Sequence, residues 1–135
     1  MPAPLRVLVV DDSEVIRDLI AVNLELEGFE VMCAESGQAA LDMVKQVKPH
    51  VVTLDVMMPG LDGFETAQRL REDPETHHIP IVMVTGRSQA ADVVRGEAAG
   101  VEAYLSKPFE PAELVTVVRS LAQSGRPDES TEPAT

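Results

Sequence analysis

The sequence predicts an α/β fold in which helices cover both faces of a five-stranded parallel sheet. Five short apolar runs alternate with five segments of helical periodicity along the 135 residues, without repeats. The first run, LRVLVV, shows no polar alternation, and VVTLDVMMP is an apolar run that turn residues end; both patterns are typical of fully buried strands. Because strand–helix–strand crossovers are right-handed, this alternation predicts a doubly wound sheet.

The first strand and helix are predicted at residues 5–10 and 14–27. Ser13 can cap the helix by accepting a hydrogen bond from a backbone amide of the first turn. Gly28 provides the stop. We expect the helix to pack on the sheet through one apolar stripe with the 3, 4 spacing of a helical face, namely Val15, Leu19, Val22 and Leu26.

A second strand is predicted at residues 30–34, where partial polar alternation is typical of an edge strand. The pair Ser36 and Gly37 begins a helix that continues to residue 47, and Pro49 closes this unit. The side chains that we expect to face inward are Ala40, Met43, Val44 and Val47.

The third strand is predicted at residues 51–54, and a loop through Gly63 leads to a helix at 64–72. The pair Asp73 and Pro74 ends that helix, because the residue before a proline disfavours helical geometry. The fourth strand is predicted at residues 81–84. The inward-facing residues of the third helix are expected to be Phe64, Ala67 and Leu70.

The remaining elements are a fourth helix at 89–99, a fifth strand at 103–105 and a fifth helix at 111–123. Gly96 interrupts the fourth helix at a cost of about 1 kcal/mol relative to alanine, so we expect that helix to be weak. Pro111 suits the first turn of the last helix. Residues 124–135, SGRPDESTEPAT, contain no aliphatic run to bury, which predicts a disordered polar tail or the start of a linker.

Composition limits the classes of function. The length and the 44% hydrophobic residues fit one domain with its own core. A net charge of -12 argues against direct nucleic-acid binding, because phosphate contacts require a basic face. The apolar runs are too short to span a membrane, and the amino terminus lacks a basic segment followed by a long apolar region, so we expect a cytoplasmic location. The single cysteine, Cys33, lies in EVMCA and is predicted to be a small buried hydrophobe.

Side chains suited to a cation and a phosphoryl group follow four predicted strands. Asp11 and Asp12 follow the first, Asp55 the third, Thr85 the fourth and Lys107 the fifth. The carboxyl ends of parallel strands share one edge, where open α/β sheets bind ligands. Carboxylates so close repel one another unless a hard cation neutralises them, and Mg²⁺ suits a few carboxylates plus retained waters.

The motifs DD, DVMMPGLDG, VTG and KPF occur in the order and spacing of a response-regulator receiver domain, resembling the chemotaxis regulators of two-component phosphorelay systems. Each motif is common alone, but all four in order, each after an apolar run, are specific. The resemblance covers about residues 5–123, so that 1–123 would form the receiver domain. It implies a flavodoxin-like fold with five helices and strand order 2-1-3-4-5.

The resemblance assigns the acidic residues their roles. Asp55 would be the phosphoacceptor and would attack phosphorus as a nucleophile. Mg²⁺ would be held by Asp12, Asp55 and the backbone carbonyl of Met57, with Asp11 acting mostly through water. The ion would shield the carboxylate from the charge already on the phosphoryl group and align the transfer.

The resemblance also assigns three residues that respond to the phosphoryl group. Lys107 would contact one oxygen as a point charge, and Pro108 matches a position where a cis peptide aims that lysine. The hydroxyl of Thr85 would donate a hydrogen bond to another oxygen. Tyr104, the only tyrosine, matches the switch aromatic that turns inward when the threonine shifts. The chain departs from the family at Gly86, where alanine is most common, and this leaves the phosphoryl lifetime open.

Two other classes of function compete with the signalling switch. An Asp-nucleophile phosphatase or phosphotransferase of the haloacid-dehalogenase type needs a second aspartate two residues after the first, where this chain has Met57. A flavodoxin-like cofactor module needs a hydroxyl- and glycine-rich loop after the first strand, where Asp11 and Asp12 would repel phosphate. We therefore predict no enzyme, only Mg²⁺-dependent self-phosphorylation from phosphodonors and slow self-dephosphorylation.

The expected partners are proteins. A histidine kinase or a histidine phosphotransfer protein would donate the phosphoryl group, and the switched surface would control a downstream effector or an output domain. A phosphorylation-dependent homodimer is a further option that the resemblance leaves open. We expect neither nucleic-acid binding nor membrane insertion.

Overall fold

The computed structural model describes residues 3–86 and 100–124. Within them the strands and helices alternate as predicted: β1 (Arg6–Val10), α1 (Glu14–Leu26), β2 (Glu30–Ala34), α2 (Gly37–Val47), β3 (Val51–Leu54), α3 (Gly63–Glu72), β4 (Ile81–Thr85), β5 (Ala103–Ser106) and α4 (Pro111–Ser124). The helix predicted at 89–99 lies outside the described residues, so α4 corresponds to the fifth predicted helix. That helix includes Ser124, and the rest of the predicted tail also lies outside the described residues.

The five strands form one parallel sheet in the order β2-β1-β3-β4-β5 that the family resemblance implied. Two backbone hydrogen bonds extend the pairing past the strand ends. The amide of Asp55 donates to Val10 O at 3.0 Å, and the amide of Lys107 donates to Thr85 O at 2.8 Å. Asp55 is therefore fixed beside the end of β1, and Lys107 beside the end of β4, at the carboxyl edge of the sheet.

One apolar cluster lies on each face of the sheet, which makes the fold doubly wound. The face covered by α2 and α3 buries alternate strand residues, among them Leu8, Val10, Leu54, Ile81 and Met83. The face covered by α1 and α4 buries the strand residues between them, among them Val7, Val9, Val51, Val82 and Val84. The inward residues predicted for α3 (Phe64, Ala67 and Leu70) are all buried.

Helix α1 turns a different side to the sheet from the one that the sequence predicted. The predicted inward stripe is exposed, with Val15 at 75%, Leu19 at 45%, Val22 at 52% and Leu26 at 78%, whereas Ile20 and Leu24 are fully buried. The prediction is wrong because apolar residues fill adjacent positions, about 100° apart on a helix, and both sets satisfy the same period. We refer to Val15, Leu19, Val22 and Leu26 as the outer α1 stripe.

Cys33 is exposed, so the prediction of a buried cysteine is also wrong. It lies on β2, which is an edge strand and has only Ala34 fully buried. An edge strand has a neighbouring strand on one side only, so its side chains are covered less completely than those of the inner strands. Partial burial nevertheless raises the pKa of the Cys33 thiol, and the nearby Asp18 and Glu25 carboxylates add to this rise while Arg17 opposes it.

Arg71 of α3 ties together the segments that enter β4 and β5. Its guanidinium donates to Ile79 O and to Gly100 O, each at 2.7 Å, and lies 2.7 Å from Glu102 Oε1. The same carboxylate oxygen accepts from the amide of Ile81 at 2.7 Å. Both charged side chains are nearly buried, at 12% and 8% exposure. We refer to this arrangement as the Arg71 clamp.

Thr53 supplies a stability prediction, because its hydroxyl is buried among Val9 and Val82 without a hydrogen-bond partner in the described part of the chain. An unsatisfied buried hydroxyl is unfavourable, so Thr53→Val should raise the free energy of unfolding by about 1 kcal/mol and the melting temperature by about 3 °C.

Thr76→Val is the matched control for this measurement. The Thr76 hydroxyl donates to Leu70 O at 2.7 Å, so its loss should lower stability by about 1 kcal/mol. Thermal melts of the two variants should therefore move in opposite directions. If Thr53→Val lowered the melting temperature as much as Thr76→Val does, the Thr53 hydroxyl could not be an unsatisfied buried group.

Candidate functional site

Three aspartates meet at the carboxyl edge of the sheet, as the sequence predicted. Carboxylate oxygens of Asp11, Asp12 and Asp55 all lie within 4.8 Å of one another. Asp11 and Asp55 are buried, at 1% and 5% exposure, whereas Asp12 is exposed. The cluster therefore has two fixed inner carboxylates and one that faces solvent.

Lys107 places a positive charge between the two buried carboxylates. Its ammonium lies 3.1 Å from Asp11 Oδ2 and 3.4 Å from Asp55 Oδ1. The Lys107–Pro108 bond is cis, as the family resemblance implied. One ammonium cannot neutralise three carboxylates, so the site as a whole keeps an excess of negative charge and favours a cation.

The pKa of Asp55 reflects this excess of negative charge. Burial raises the pKa of Asp55, and the Asp11 carboxylate raises it further. The Lys107 ammonium and a hydrogen bond from the Met57 backbone amide oppose that rise without cancelling it. A carboxylate with a raised pKa is less favourable when ionised than it would be in water. A bound divalent cation would relieve this cost.

Asp11 is held by residues of the loop and helix that follow it. Its Oδ1 accepts a hydrogen bond from the amide of Ser13 at 2.9 Å, and its backbone carbonyl accepts one from Arg17 Nη1 at 2.9 Å. Ser13 also caps α1, accepting from Ile16 N. Sequence reasoning missed Arg17, because an arginine one turn into an amphipathic helix carries no signal of a contact with the preceding strand.

Gly63 fixes the backbone below Asp55. A Cβ atom built on Gly63 would overlap the Asp55 carbonyl oxygen and lie 2.9 Å from Val56 Cα. The first residue of α3 must therefore be a glycine for the helix to pack this close to the end of β3. Asp62 and Glu65 form a capping box that begins the helix at this point. The sequence pattern alone indicates only that Gly63 ends a loop.

Thr85 and Tyr104 occupy neighbouring strands near the cluster. Thr85 is buried at the end of β4, and its partner across the ladder is Ser106, the residue before Lys107. Tyr104 lies opposite Met83 on β5 and packs partly buried against the cluster covered by α2 and α3. The structure thus brings together Asp11, Asp12, Asp55 and Lys107, with Thr85 on the adjoining strand. The switch roles of Thr85 and Tyr104 stay predictions.

Comparisons with known proteins agree with this geometry. The family model described as the response regulator receiver domain matches residues 7–119, and the chain belongs to that family. The chain is 40% identical over 116 residues to the DNA-binding dual master transcriptional regulator RpaA of Synechocystis sp., which is 86% of this chain and 48% of that protein. It is 39% identical over 127 residues to the phosphate regulon transcriptional regulatory protein PhoB of Pseudomonas aeruginosa, which is 94% of this chain and 56% of that protein.

The chain therefore spans about half the length of these curated relatives. Among solved structures, the chemotaxis protein CheY4 of Vibrio cholerae superposes with a TM-score of 0.84 at 33% identity, covering 87% of this chain and 98% of that one. This similarity confirms the flavodoxin-like fold. The family is a signalling receiver domain of two-component systems and not a metabolic enzyme. None of the described helices has the length and apolar character needed to cross a bilayer.

Proposed function

We propose that Asp55 accepts a phosphoryl group and that this event switches the surface of the domain. The observation that carries the proposal is the position of Lys107, whose ammonium lies within 3.4 Å of a buried Asp55 that shares its site with two further carboxylates. A lone buried aspartate would be unfavourable. The arrangement fits phosphoryl acceptance, because Lys107 and a bound cation would together balance the negative charge of the phosphoryl group.

The transfer forms one bond and breaks one. An Asp55 carboxylate oxygen forms the new bond to phosphorus, and the bond from phosphorus to the donor nitrogen or oxygen breaks, so the donor leaves with that electron pair. The Lys107 ammonium would balance charge on one phosphoryl oxygen, and the Thr85 hydroxyl would donate to another. The residues fit a hard cation, which when bound would supply charge shielding and alignment.

The cation is proposed to be Mg²⁺, held by Asp12, Asp55 and the Met57 backbone carbonyl, with Asp11 acting mostly through water. Three carboxylates within 4.8 Å form the hard, all-oxygen set that Mg²⁺ prefers. Self-phosphorylation from small phosphodonors and slow self-dephosphorylation belong to the same proposal. A cytoplasmic location is also part of it and rests on the proposed function alone.

Mg²⁺ should stabilise the fold, because a ligand of the native state adds RT ln(1 + [L]/Kd), about 1.4 kcal/mol at a concentration tenfold above Kd. Asp12→Ala should remove most of this gain. Asp18→Ala is the matched control, since Asp18 is an exposed aspartate on α1 outside the cluster. Melting curves with and without Mg²⁺ check the prediction, and an undiminished Mg²⁺ effect in Asp12→Ala would sink direct binding by that residue.

Two rival functions are disfavoured by residues next to Asp55 and β1. Met57 supplies a half-exposed thioether where a haloacid-dehalogenase-type phosphatase has its acid–base carboxylate. The loop after β1 presents carboxylates where a flavodoxin-like module binds phosphate. Turnover of a phosphate ester would support the phosphatase, and flavin absorbance in the purified protein would support the cofactor module.

The outer α1 stripe supports a helical protein as the phosphoryl donor. Helix α1 begins two residues after Asp12, so the stripe starts beside the cluster and continues for roughly 16 Å. Four exposed apolar side chains in one line form a surface that an amphipathic helix covers well. Its flanks carry the exposed acids Glu14, Asp18 and Glu25, which favour basic residues on the partner. The histidine-bearing helix of a kinase or phosphotransfer protein fits this description.

Leu19→Ser should therefore slow phosphoryl transfer from the histidine protein by about tenfold, which corresponds to the loss of one buried leucine contact. Labelling by acetyl phosphate should not change, because this small donor needs no docking surface. Transfer rates from both donors check the prediction. Equal slowing with both donors, or with neither, would remove the stripe from partner recognition.

The proposed switch couples Thr85 to Tyr104. Moving a two-state equilibrium from 1:99 to 99:1 needs about 5.5 kcal/mol of differential interaction. One charge-assisted hydrogen bond from Thr85 contributes roughly 1.5 to 3 kcal/mol, so Lys107 and the repacking of Tyr104 must contribute as well. The remodelled surface would act on an effector, an output domain or a second copy of the chain.

A further inference from the structure

A cavity lies at the amino-terminal edge of the sheet, at the opposite end from Asp55. Its volume is about 660 Å³, and it is enclosed by the ends of α2 and α4 and by the segments that enter β3 and β4. Its apolar floor includes Pro49, Ile79 and Pro80, all buried, and Ala122 of α4 forms part of its wall. The proposed phosphoryl chemistry makes no use of this cavity.

The rim of the cavity carries two lysines and two histidines against one carboxylate, Glu75, although the chain as a whole is acidic. The chain has a net charge of -12 and only 11 Lys and Arg, yet Lys45, Lys48, His50 and His78 all line this one cavity. Lys45 is already paired, with its ammonium 2.9 Å from an Asp73 carboxylate oxygen and 3.8 Å from one of Glu75.

Lys48, His50 and His78 form no ion pair with any residue in the described ranges 3–86 and 100–124. His50 Nδ1 accepts a hydrogen bond from the Arg6 amide at 2.9 Å, so the neutral ring carries its proton on Nε2, which is then a donor. The cavity therefore combines an apolar floor with donors suited to carboxylates.

The chain itself supplies an acidic segment beside this cavity. Helix α4 ends at Ser124, only two residues after the wall residue Ala122, and the sequence continues as GRPDESTEPAT. Residues 125–135 contain three carboxylates, Asp128, Glu129 and Glu132, against the single Arg126. The four steps from Ser124 to Asp128 span at most about 14 Å, which is enough to reach the rim.

We propose that residues 128–132 bind in this cavity, with their carboxylates against Lys48, His50 and His78. Binding within one chain benefits from a short tether, because the effective concentration of a segment held a few residues from its site is in the millimolar range.

The test uses charge reversal in the chain of residues 1–135, followed by amide NMR. Lys48→Glu should lower the heteronuclear NOE of residues 128–132 to values typical of a free chain, and reversal of Asp128, Glu129 and Glu132 to lysine should shift the amide signals of the cavity. Combining the two changes should restore both readings. Arg69→Glu is the matched control, because Arg69 is an exposed basic residue outside this cavity.

Several outcomes would overturn the proposal. The proposal fails if tail reversal leaves the amide signals of Lys48, His50 and His78 unchanged, or if Lys48→Glu acts no differently from Arg69→Glu. Shifts that vanish on dilution would show that the segment binds a second copy instead of its own chain. Added salt should lower the heteronuclear NOE of residues 128–132 as Lys48→Glu does. Raising the ionic strength from 0.1 M to 1 M shortens the screening length from about 10 Å to about 3 Å. The result does not depend on phosphorylation of Asp55.

Discussion

Asp55→Asn is expected to reduce phosphoryl labelling by acetyl phosphate and Mg²⁺ to background, while raising the melting temperature in Mg²⁺-free buffer. The amide keeps the shape of the side chain but lacks the carboxylate oxygen that would attack phosphorus. It also removes a buried negative charge that burial and the Asp11 carboxylate both disfavour. A gain in stability together with a loss of labelling would show that the variant is unlabelled because it lacks the nucleophile and not because it is misfolded.

The pH dependence of stability sharpens this prediction. Because the folded-state pKa of Asp55 is raised above its unfolded value, the protonated form favours folding, and this contribution is lost as pH rises through the folded-state pKa. Without Mg²⁺, the wild type should lose stability over that range relative to Asp55→Asn. Asp42→Asn, an exposed aspartate on α2, should behave like the wild type in both assays. Full labelling of Asp55→Asn would contradict the assignment.

Arg71→Met is expected to cost about 3 to 5 kcal/mol of unfolding free energy, the largest stability effect that we predict. The substitution preserves much of the apolar stem but removes the guanidinium that lies 2.7 Å from the nearly buried Glu102 carboxylate. The carbonyls of Ile79 and Gly100 lose their donors at the same time. Breaking a buried pair from one side is costly because the remaining charge cannot regain water.

Urea unfolding of three variants measures this effect. Arg69→Met, on the same helix but exposed, should change stability by less than about 0.5 kcal/mol. Arg71→Met combined with Glu102→Gln should recover part of the loss, because the glutamine carbonyl can still accept from the Ile81 amide while no charge stays buried. If Arg71→Met cost no more than Arg69→Met, the Arg71 clamp would not contribute to stability.

Much of the fold could be predicted because its signals are local. Apolar runs without polar alternation occur where strands are buried on both sides, and Ser13 and Ser36 cap the helices that the sequence predicts to begin there. The aspartates and Lys107 could be assigned to one site because parallel strands deliver their carboxyl ends to one edge. The four-motif resemblance added the strand order and the cis Lys107–Pro108 bond.

What could not be predicted depends on geometry between distant segments. The outer α1 stripe and the buried pair Ile20 and Leu24 satisfy the same period, and only docking on the sheet distinguishes them. Gly63 is required by the closeness of α3 to the end of β3, which no local pattern records. The Arg71 clamp joins residues up to 31 positions apart in the chain.

The most direct test of the central claim is to locate the phosphoryl group on the chain. After labelling with acetyl phosphate and Mg²⁺, borohydride reduces an aspartyl phosphate to homoserine, and tandem mass spectrometry identifies the converted residue. The account predicts conversion at Asp55 alone and none when Mg²⁺ is chelated. Conversion at Asp11 or Asp12, or a phosphoryl group on a histidine, would contradict it.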